Sequence, residues 1–355
     1  MLQIFKKYTH LLLLAALLTS LLPACNEIPE VEDLPKPDTS GITIKKIIET
    51  DPNYTLLKAA ATKSGLLAYY GNVSSTLTLF APDDAAFLRS GVNIDVINAL
   101  PAAQLAAILQ YHTLAQTVPG ASVPDLPTPN VQLPTLLQPL ADQPLFKLSA
   151  FPSRRGNAGY VNNIPVTAAD QVAVNGVIRP VYAIVAPPQA TLKGLIAADT
   201  SLSFLRAAIT RADEGSEGLA KFDSLLNYPF PNLTLMAPNN NGFRRLLTYM
   251  GLPADPAVFA MLPVQTVRGI IAFHFFGTNG APVYRYFTPN LVSGNYETLI
   301  GPAPMPPVVV DMTNPLDPVL NGVVWLAKAH MVRKDVHGVN GVMHVIDQVL
   351  LPQPL

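Results

Sequence analysis

Three histidines near the end of the chain are the residues whose type and spacing most suggest metal chemistry. His330, His337 and His344 follow one another at intervals of seven residues, and imidazole nitrogens are common ligands of transition metals. The surrounding sequence alternates like strand and loop, and neither a cysteine nor a firm carboxylate partner accompanies the three histidines. We therefore predict structural histidines here, with neither a metal nor another cofactor.

Two further histidines each end an apolar helical segment. His112 follows a segment that contains Leu105 and Leu109, and His274 closes a similar segment later in the chain. A histidine at the end of a helix can hydrogen-bond the last carbonyls and interacts favourably with the helix dipole. That structural role is the prediction for both histidines, and a share in a binding surface is the alternative.

Adjacent carboxylates at Asp83 and Asp84 have the residue types of a general acid and base. They also stand between a short apolar strand and a helical segment, where an aspartate caps the helix and complements its dipole. A second copy of the pattern has Asn239 and Asn240 at this point. Asparagine can cap a helix but cannot exchange protons as a carboxylate does, so the prediction is a pair of helix caps.

Adjacent arginines occur at Arg154–Arg155 and Arg244–Arg245. Such pairs usually lie on a solvated face of a protein. Guanidinium groups also recognise carboxylates and phosphates. For Arg154 and Arg155 the alternative is therefore a site for anionic sugars or phosphate groups.

The rest of the chain carries no motif of an enzyme or of a nucleic-acid binder. A Gly-x-Ser-x-Gly turn, a Walker loop, a dinucleotide glycine fingerprint and a His-Glu-x-x-His sequence are all missing. The 23 basic residues are balanced by 24 acidic ones, which leaves no basic face for nucleic acid. We predict no catalytic residue, no enzymatic activity and no nucleic-acid partner.

An internal repeat organises the elements that must position these residues. Segments recur in the same order at an offset that grows along the chain, as expected for a duplicated unit with loop insertions. The aligned segments are Thr43–Asp51 with Thr191–Asp199, Leu77–Pro82 with Leu233–Pro238, Tyr111–His112 with Phe273–His274, and Asn175–Val177 with Asn340–Val342. The repeat predicts two domains, at residues 41–187 and 190–352.

Both repeats predict helices first and strands later. Each opens with apolar residues at helical spacing, continues with a short strand that Ala-Pro stops, and returns to helix up to the histidine. The second half is strand-like, and in the later repeat it includes residues 323–327 with the single tryptophan, Trp325. Helices and strands that do not alternate strictly indicate an α+β fold.

Composition agrees with a folded, loop-rich protein. Charged residues make up 13% of the 355 residues, about half the usual ~25%, and hydrophobic residues make up 49%. Disorder is therefore excluded, because it requires low hydrophobicity and high charge. Many of the 35 prolines lie in one long loop of each repeat, at 119–144 and 302–318, and we predict these loops as the contact surface.

The N-terminus resembles a bacterial lipoprotein signal peptide at residues 1–25. Lys6 and Lys7 precede the apolar run Leu11–Leu22, which spans only about 18 Å as a helix, against ~30 Å for a hydrocarbon core. Leu22-Pro23-Ala24-Cys25 resembles a lipobox, in which Cys25 would carry the lipid. The acidic, proline-bearing residues 26–40 are predicted to be a tether.

The repeats together resemble tandem fasciclin domains over about 310 residues. The family's first signature resembles Leu77–Phe87, its central tyrosine-histidine stands at Tyr111–His112, and its closing sequence stands at Asn340–Pro352. The resemblance implies a β-sandwich wedge decorated with helices in each domain, and a role in adhesion or matrix contact. It also implies Tyr111, His112, Phe273 and His274 as possible binding residues.

Departures from the family pattern limit what the resemblance implies. Animal members are thought to engage integrins through the tyrosine-histidine region and short motifs with Asp-Ile. The chain contains no Asp-Ile dipeptide, so integrin binding is not expected. The first repeat has Arg179-Pro180 where the second has His344-Val345, and Pro180 should lie at an edge or weaken the last strand pairing.

From the sequence we expect a non-enzymatic cell-envelope lipoprotein that binds a surface or matrix protein or polysaccharide. A lipid on Cys25 would hold it on a membrane, with the outer membrane of a Gram-negative bacterium as the expected location. The alternative is an envelope protein that binds a polysaccharide or a small ligand. That alternative predicts a concave pocket with converging polar groups and aromatic rings.

Overall fold

The structure of the protein is a computed structural model that describes residues 41–140, 143, 145–277, 284–324 and 328–354. The predicted signal peptide with Cys25, the predicted tether and Trp325 lie outside the described residues. Within the described ranges, no helix is both long enough and apolar enough to cross a membrane.

Helices of the first domain begin where the sequence supplies a cap. The Thr43 side chain accepts a hydrogen bond from the backbone of Lys46 at 3.2 Å, and Asp83 accepts one from Ala86 at 2.7 Å. The predicted cap at Asp83 is therefore confirmed. The helices are α1 (Ile44–Thr50), α2 (Thr55–Lys63), α3 (Leu66–Tyr69), α4 (Asp84–Arg89), α5 (Ile94–Ala99) and α6 (Ala102–Tyr111).

A four-stranded sheet divides the first domain, in the order β2-β1-β9-β8. Its central pair, β1 and β9, is parallel, with Leu77 opposite Gly176, and the other pairs are antiparallel. Its strands are β1 (Leu77–Pro82), β2 (Thr113–Leu114), β8 (Gln171–Ala173) and β9 (Gly176–Val181). Two smaller sheets contain β3 (Leu133–Pro134) with β4 (Ser149–Ala150), and β5 (Pro152–Arg155) with β6 (Ala158–Val161) and β7 (Ile164–Pro165).

The second domain repeats this plan with a larger sheet. Asn239 caps the helix after the first strand by accepting a hydrogen bond from Gly242 at 3.0 Å, as predicted. The helices are α7 (Leu192–Ala198), α8 (Ser203–Ala212), α9 (Phe222–Asn227), α10 (Asn240–Tyr249) and α11 (Val264–Phe273). The seven strands, in sheet order, are β11 (Phe275–Phe276), β10 (Leu233–Pro238), β16 (Gly341–Ile346), β15 (Ala329–Gly338), β14 (Val319–Asn321), β13 (Val308–Asp311) and β12 (Gly294–Tyr296).

Each main sheet separates two hydrophobic clusters, because successive side chains of a strand point to opposite faces. In β1, Leu77, Leu79 and Ala81 pack in the cluster that includes the helices, whereas Phe80 packs in the cluster on the other face. The second domain divides β10 in the same way, with Met236 on the face away from its helices. The predicted α+β class is therefore confirmed.

An Asn-Gly turn joins the late strands to the first helix in both domains. The Asn175 side chain accepts a hydrogen bond from the backbone of Ile44 at 3.0 Å and donates one to the carbonyl of Tyr70 at 2.9 Å. Gly176 has φ 143°, and a Cβ there would lie 1.9 Å from the carbonyl oxygen of Leu77. Glycine is therefore the residue that allows β9 to approach β1 so closely.

The first strand extends further than predicted, since Ala-Pro belongs to β1 and to β10 instead of ending them. Pro180 lies opposite Ala81 in the parallel pair, beyond the end of the β8 pairing at Ile178. The antiparallel β8–β9 ladder is thus shorter than the β15–β16 ladder of the second domain. This agrees with the prediction for Pro180, since proline has no N–H to donate to a ladder.

Candidate functional site

The two histidines that end helices are held in the interior by backbone hydrogen bonds. His112 is fully buried, its Nδ1 lies 2.7 Å from the Ile108 carbonyl oxygen, and its Nε2 accepts a hydrogen bond from the Val185 amide at 2.9 Å. Because Nε2 is the acceptor, the proton of the neutral ring is on Nδ1. Burial lowers the pKa of His112 to about 4, which keeps the ring neutral.

His274 repeats this arrangement atom for atom. Its Nδ1 lies 2.7 Å from the Ile270 carbonyl oxygen, and its Nε2 accepts a hydrogen bond from the Leu350 amide at 3.0 Å. Burial lowers the pKa of His274 to about 4 as well. Each histidine thereby ties the end of a helix to the last segment of its own domain, which is the structural role that the sequence predicts.

Tyr111 and Phe273, the residues before these histidines, are also fully buried. The Tyr111 hydroxyl donates a hydrogen bond to the Ser149 carbonyl at 3.0 Å and accepts one from Asn162 at 3.2 Å. Burial raises the pKa of Tyr111 to about 12. A partner cannot touch Tyr111, His112, Phe273 or His274 in the folded chain, so the structure favours their structural role over the binding role that the family resemblance implies.

The junction between the two domains is built around a buried arginine. Arg285 is 4% exposed, and its Nη atoms donate to the carbonyls of Gly338 at 3.0 Å and Val339 at 2.6 Å. Its Nε donates to the Asn232 side chain at 3.1 Å, and its guanidinium lies 4.6 Å from the ring centre of Phe151 in the first domain. Burial lowers the pKa of Arg285 to about 10.

His337 lies at the same junction and bridges the domains. Its Nε2 is 3.0 Å from Arg285 Nη1, so the ring accepts and is neutral. Burial, aided by the Arg285 charge, holds the pKa of His337 well below its ordinary value. The ring centre is 6.5 Å from that of Tyr111 and 6.2 Å from that of Phe151 in the first domain, and 5.1 Å from that of Phe287 in the second.

Part of the proline-rich loop of the first domain is enclosed by this junction. Asn130 is 3% exposed and donates hydrogen bonds to the Arg285 carbonyl at 2.6 Å and the Asn290 side chain at 2.9 Å. The prediction that this loop is a contact surface therefore needs correction here. Its middle contacts the second domain instead of an outside partner.

A cleft opens beside this junction, with a volume of about 570 Å³. Leu126, Pro127 and Pro129 form one wall, and the second domain supplies polar and aromatic groups that include Tyr286 and Tyr296. Tyr296 packs against Phe276 with ring centres 4.9 Å apart, so the aromatic wall is rigid. Concave shape, rings and amides together are typical of a small-ligand site.

The proline-rich segment 302–318 of the second domain is not one loop, because it contains strand β13, and it is exposed on either side of that strand. Met305 is 50% exposed and Leu316 is 85% exposed. The Leu316 amide donates to the Asn314 side chain at 3.2 Å, and the Asp317 amide donates to the Asn314 carbonyl at 3.0 Å. His330 Nδ1 lies 2.9 Å from the Asp317 carboxylate, so the turn that presents Leu316 is fixed to β15.

The paired arginines are placed on different surfaces. Arg154 is partly buried, with its Nε enclosed and 3.9 Å from the Asp125 carboxylate, whereas Arg155 is exposed. In the other pair, Arg244 stacks 5.1 Å from the ring centre of Phe204, and Arg245 lies 3.8 Å from the Asp347 carboxylate.

The acidic pair and the three late histidines have structural contacts. The Asp84 carboxylate accepts a hydrogen bond from the Leu56 amide at 2.8 Å, and Asn240 accepts the equivalent bond from Phe204 at 3.1 Å. Both pairs therefore cap helices, as predicted. Among the described residues, no three His, Cys, Asp or Glu side chains come close enough to hold a metal ion.

Three residues that organise these sites were missed by the sequence interpretation, namely Arg179, Asn130 and Arg285. The repeat alignment gave a signal for Arg179, because the second copy has His344 at that position. Asn130 and Arg285 lie in loops where the two repeats differ in length, so no alignment could have marked them.

Comparisons with known proteins agree with the repeat. The Fasciclin domain family matches residues 52–187 and 215–352. A solved structure, the FAS1 domain pair from the insect cell adhesion molecule fasciclin I, is similar at 18% identity over 83% of this chain and 96% of that chain, with a TM-score of 0.38. No curated protein matches the chain.

The buried histidines predict acid sensitivity. Their folded pKa of about 4 lies below the ordinary 6.5, so between these pH values the unfolded chain binds protons that the folded chain excludes. The free energy of unfolding should therefore fall as the pH falls from 6.5 to 4, by on the order of 3 kcal/mol for each histidine. Denaturant unfolding at a series of pH values measures this loss.

Two variants separate this cause from general acid denaturation. His112→Gln with His274→Gln should lower stability at neutral pH and reduce the pH dependence. It should not abolish that dependence, because burial also lowers the pKa values of His337 and His344. His330→Gln is the control, because His330 lies at the surface beside Asp317, and it should leave the slope unchanged. An equal slope in all three proteins would show that the two buried histidines do not set the acid limit.

Proposed function

The chain belongs to the fasciclin family, and on that premise we propose that it is a cell-envelope lipoprotein that binds a surface or matrix molecule. Tandem fasciclin domains are typically adhesion or matrix-binding modules, and they are generally non-enzymatic. The carboxylate pair, which has the residue types for acid–base chemistry, is occupied in capping helices. Non-covalent recognition is therefore the proposed mechanism.

The exposed turn around Leu316 is the observation that carries this proposal. A leucine that is 85% exposed contributes nothing to the core, and its turn is already fixed by hydrogen bonds through Asn314. Lys334 Nζ adds another, to the Leu316 carbonyl at 2.6 Å. A loop that is ordered before binding loses less entropy when a partner arrives. We therefore assign the contact to the exposed turn at residues 313–317 and to a mainly apolar patch on the partner.

Chain charge fits this type of contact. The charges of the 23 basic and 24 acidic residues almost cancel, so long-range electrostatic steering of a partner would be weak. Local apolar burial and hydrogen bonds would supply the affinity instead. Fully burying a leucine side chain stabilises by about 1.5–3 kcal/mol, which corresponds to roughly tenfold to hundredfold in affinity.

A second candidate function is binding of an envelope polysaccharide or a small ligand. The cleft beside the junction supports it, since Tyr286, Tyr296 and the Asn290 amide line a concave space of about 570 Å³. Glycan binding by the soluble chain, retained when Leu316 is changed, would favour this candidate over protein adhesion.

Leu316→Asp tests the protein-contact proposal. The soluble Cys25→Ser chain is used to recover partners from native envelope or matrix material. Replacing Leu316 by aspartate should weaken recovery of the bound component roughly tenfold or more, because a charge would be buried against an apolar patch. Quantitative pull-down against that component at two salt concentrations gives the measurement.

Leu145→Asp is the matched control, since Leu145 is 97% exposed and belongs to the first domain. It should retain binding. Equal recovery by the Leu316→Asp chain, or a loss confined to Leu145→Asp, would contradict the assignment to the turn at residues 313–317. Recovery of nothing by the unmodified soluble chain would count against adhesion altogether.

Cys25→Ser tests the lipid anchor. If the lipobox is functional, the unmodified chain should sediment with membranes and the variant should appear in the soluble fraction, because the lipid-bearing sulfur is gone. Ser20→Ala is the control, since it lies in the same signal segment and leaves Cys25 intact. Membrane retention of the Cys25→Ser chain would rule out anchoring through this residue.

A further inference from the structure

Arg179 of β9 is a buried cation that the fold leaves only partly paired. Its side chain is 3% exposed and lies 5.6 Å from the ring centre of Phe80. Nε donates to the Asp170 carboxylate at 3.2 Å, and the other oxygen of that carboxylate accepts a hydrogen bond from Gly120 at 2.5 Å. One carboxylate is thus shared between the guanidinium and the backbone.

The far end of the same guanidinium has no acceptor. Nη1 is enclosed and makes no hydrogen bond. Nη2 faces two glycines, since a Cβ on Gly120 would lie 3.0 Å from it and one on Gly159 would lie 3.1 Å from it. Leaving a buried charged donor without an acceptor is energetically costly. Because native proteins rarely keep such a group without a reason, this one points to a missing ligand.

A second arginine faces the same space. Arg154, on β5, has an enclosed Nε without a hydrogen-bond partner. Both arginines line a cavity of about 440 Å³ that also includes Asn157, Thr167 and Asp170. Each guanidinium has one carboxylate beside its Nε, Asp125 for Arg154 at 3.9 Å and Asp170 for Arg179 at 3.2 Å.

The second domain supplies an internal comparison, because His344 occupies the position of Arg179. His344 is also buried, but its Nε2 lies 2.8 Å from the Tyr286 carbonyl, and its Nδ1 accepts from the Asp335 amide at 3.3 Å. The strand therefore does not need an arginine for its structure. An unsatisfied arginine in one copy and a satisfied histidine in the other indicate a role that belongs to the first domain alone.

We propose that this cavity binds the carboxylate of an acidic saccharide, a uronate unit. Nε of Arg179 is occupied by Asp170, which leaves Nη1 and Nη2, the pair of donors that matches the two oxygens of a carboxylate. Gly120 and Gly159 line the cavity beside Nη2, and a side chain at either position would lie against this atom. Arg154, on β5 of the neighbouring three-stranded sheet, lines the same cavity and is the second donor that we assign to the ligand.

Cavity size and lining favour a sugar over an acidic side chain of a protein. The volume of about 440 Å³ falls in the range of small-ligand sites and far exceeds the needs of one carboxylate. The Asn157 amide and the Thr167 hydroxyl can pair with sugar hydroxyls. The inference goes beyond both candidate functions, because this cavity shares no lining residue with the cleft beside the junction and is independent of the contact at Leu316.

Calorimetric titration of the soluble Cys25→Ser chain with D-glucuronate tests the site. D-Glucose, which lacks the carboxylate, is the uncharged control ligand. Glucuronate should bind and glucose should not. Arg154→Gln should weaken binding by about tenfold or more, through loss of a charged donor. Arg179→Lys should weaken it by a similar factor, because lysine keeps the charge but loses the two-pronged contact.

Arg155→Gln is the matched control, since Arg155 is the adjacent, exposed arginine of the same strand. The affinity of this variant for glucuronate should stay within about twofold of that of the unmodified chain. Absence of glucuronate binding, or binding that neither Arg154→Gln nor Arg179→Lys weakens, would overturn the site. Tighter binding of inorganic sulfate would overturn the carboxylate assignment, and tighter binding of tri-glutamate would transfer the site to a protein partner. None of these results bears on the Leu316→Asp experiment.

Discussion

Burial of the Arg285 charge between the two domains is the constraint on which the rest of the structure depends. A guanidinium removed from water must have its donors satisfied, and here backbone carbonyls and the Asn232 amide do so without help from a carboxylate. Phe151 of the first domain covers the group from the other side. Separating the domains would expose Phe151 and Phe287 together and would break the hydrogen bonds of Asn130. The junction therefore makes one unit of two repeated domains.

Fixed domains determine which surfaces remain for partners. The junction uses the middle of the first proline-rich loop and leaves the second loop exposed at Leu316. The cleft exists only because Pro127 and Pro129 of one domain face Tyr286 and Tyr296 of the other. The arginine cavity, by contrast, lies within the first domain. A partner thus meets three separate features whose mutual distances do not change if the junction holds.

Sequence periodicity and repeat alignment predicted the elements well, because caps, strands and apolar helix faces are local. Asp83 and Asn239 cap helices as expected, and the strands at Leu77 and Leu233 are interior strands of their sheets. Local patterns could not show that Tyr111 and His112 are enclosed, since burial of a helix end depends on segments far along the chain. Arg179 illustrates the same limit. Its neighbours Asp170, Gly120 and Gly159 come from three separate segments of the chain. Only the folded structure therefore shows that Nη1 of its guanidinium has no hydrogen-bond acceptor.

The central claim is that the two fasciclin domains behave as one unit, and calorimetric unfolding of the soluble chain tests it most directly. The aromatic contacts that cross between the domains include one of Phe151, which is 1% exposed, with Phe287, and one of Phe230, which is 57% exposed, with Phe146. The unmodified chain and Phe230→Ala should each unfold in a single transition. Phe151→Ala should lose about 3–5 kcal/mol, as large-to-small changes of buried phenylalanine do, and should split into two transitions. Two independent transitions in the unmodified chain, or no difference between the two variants, would contradict the claim.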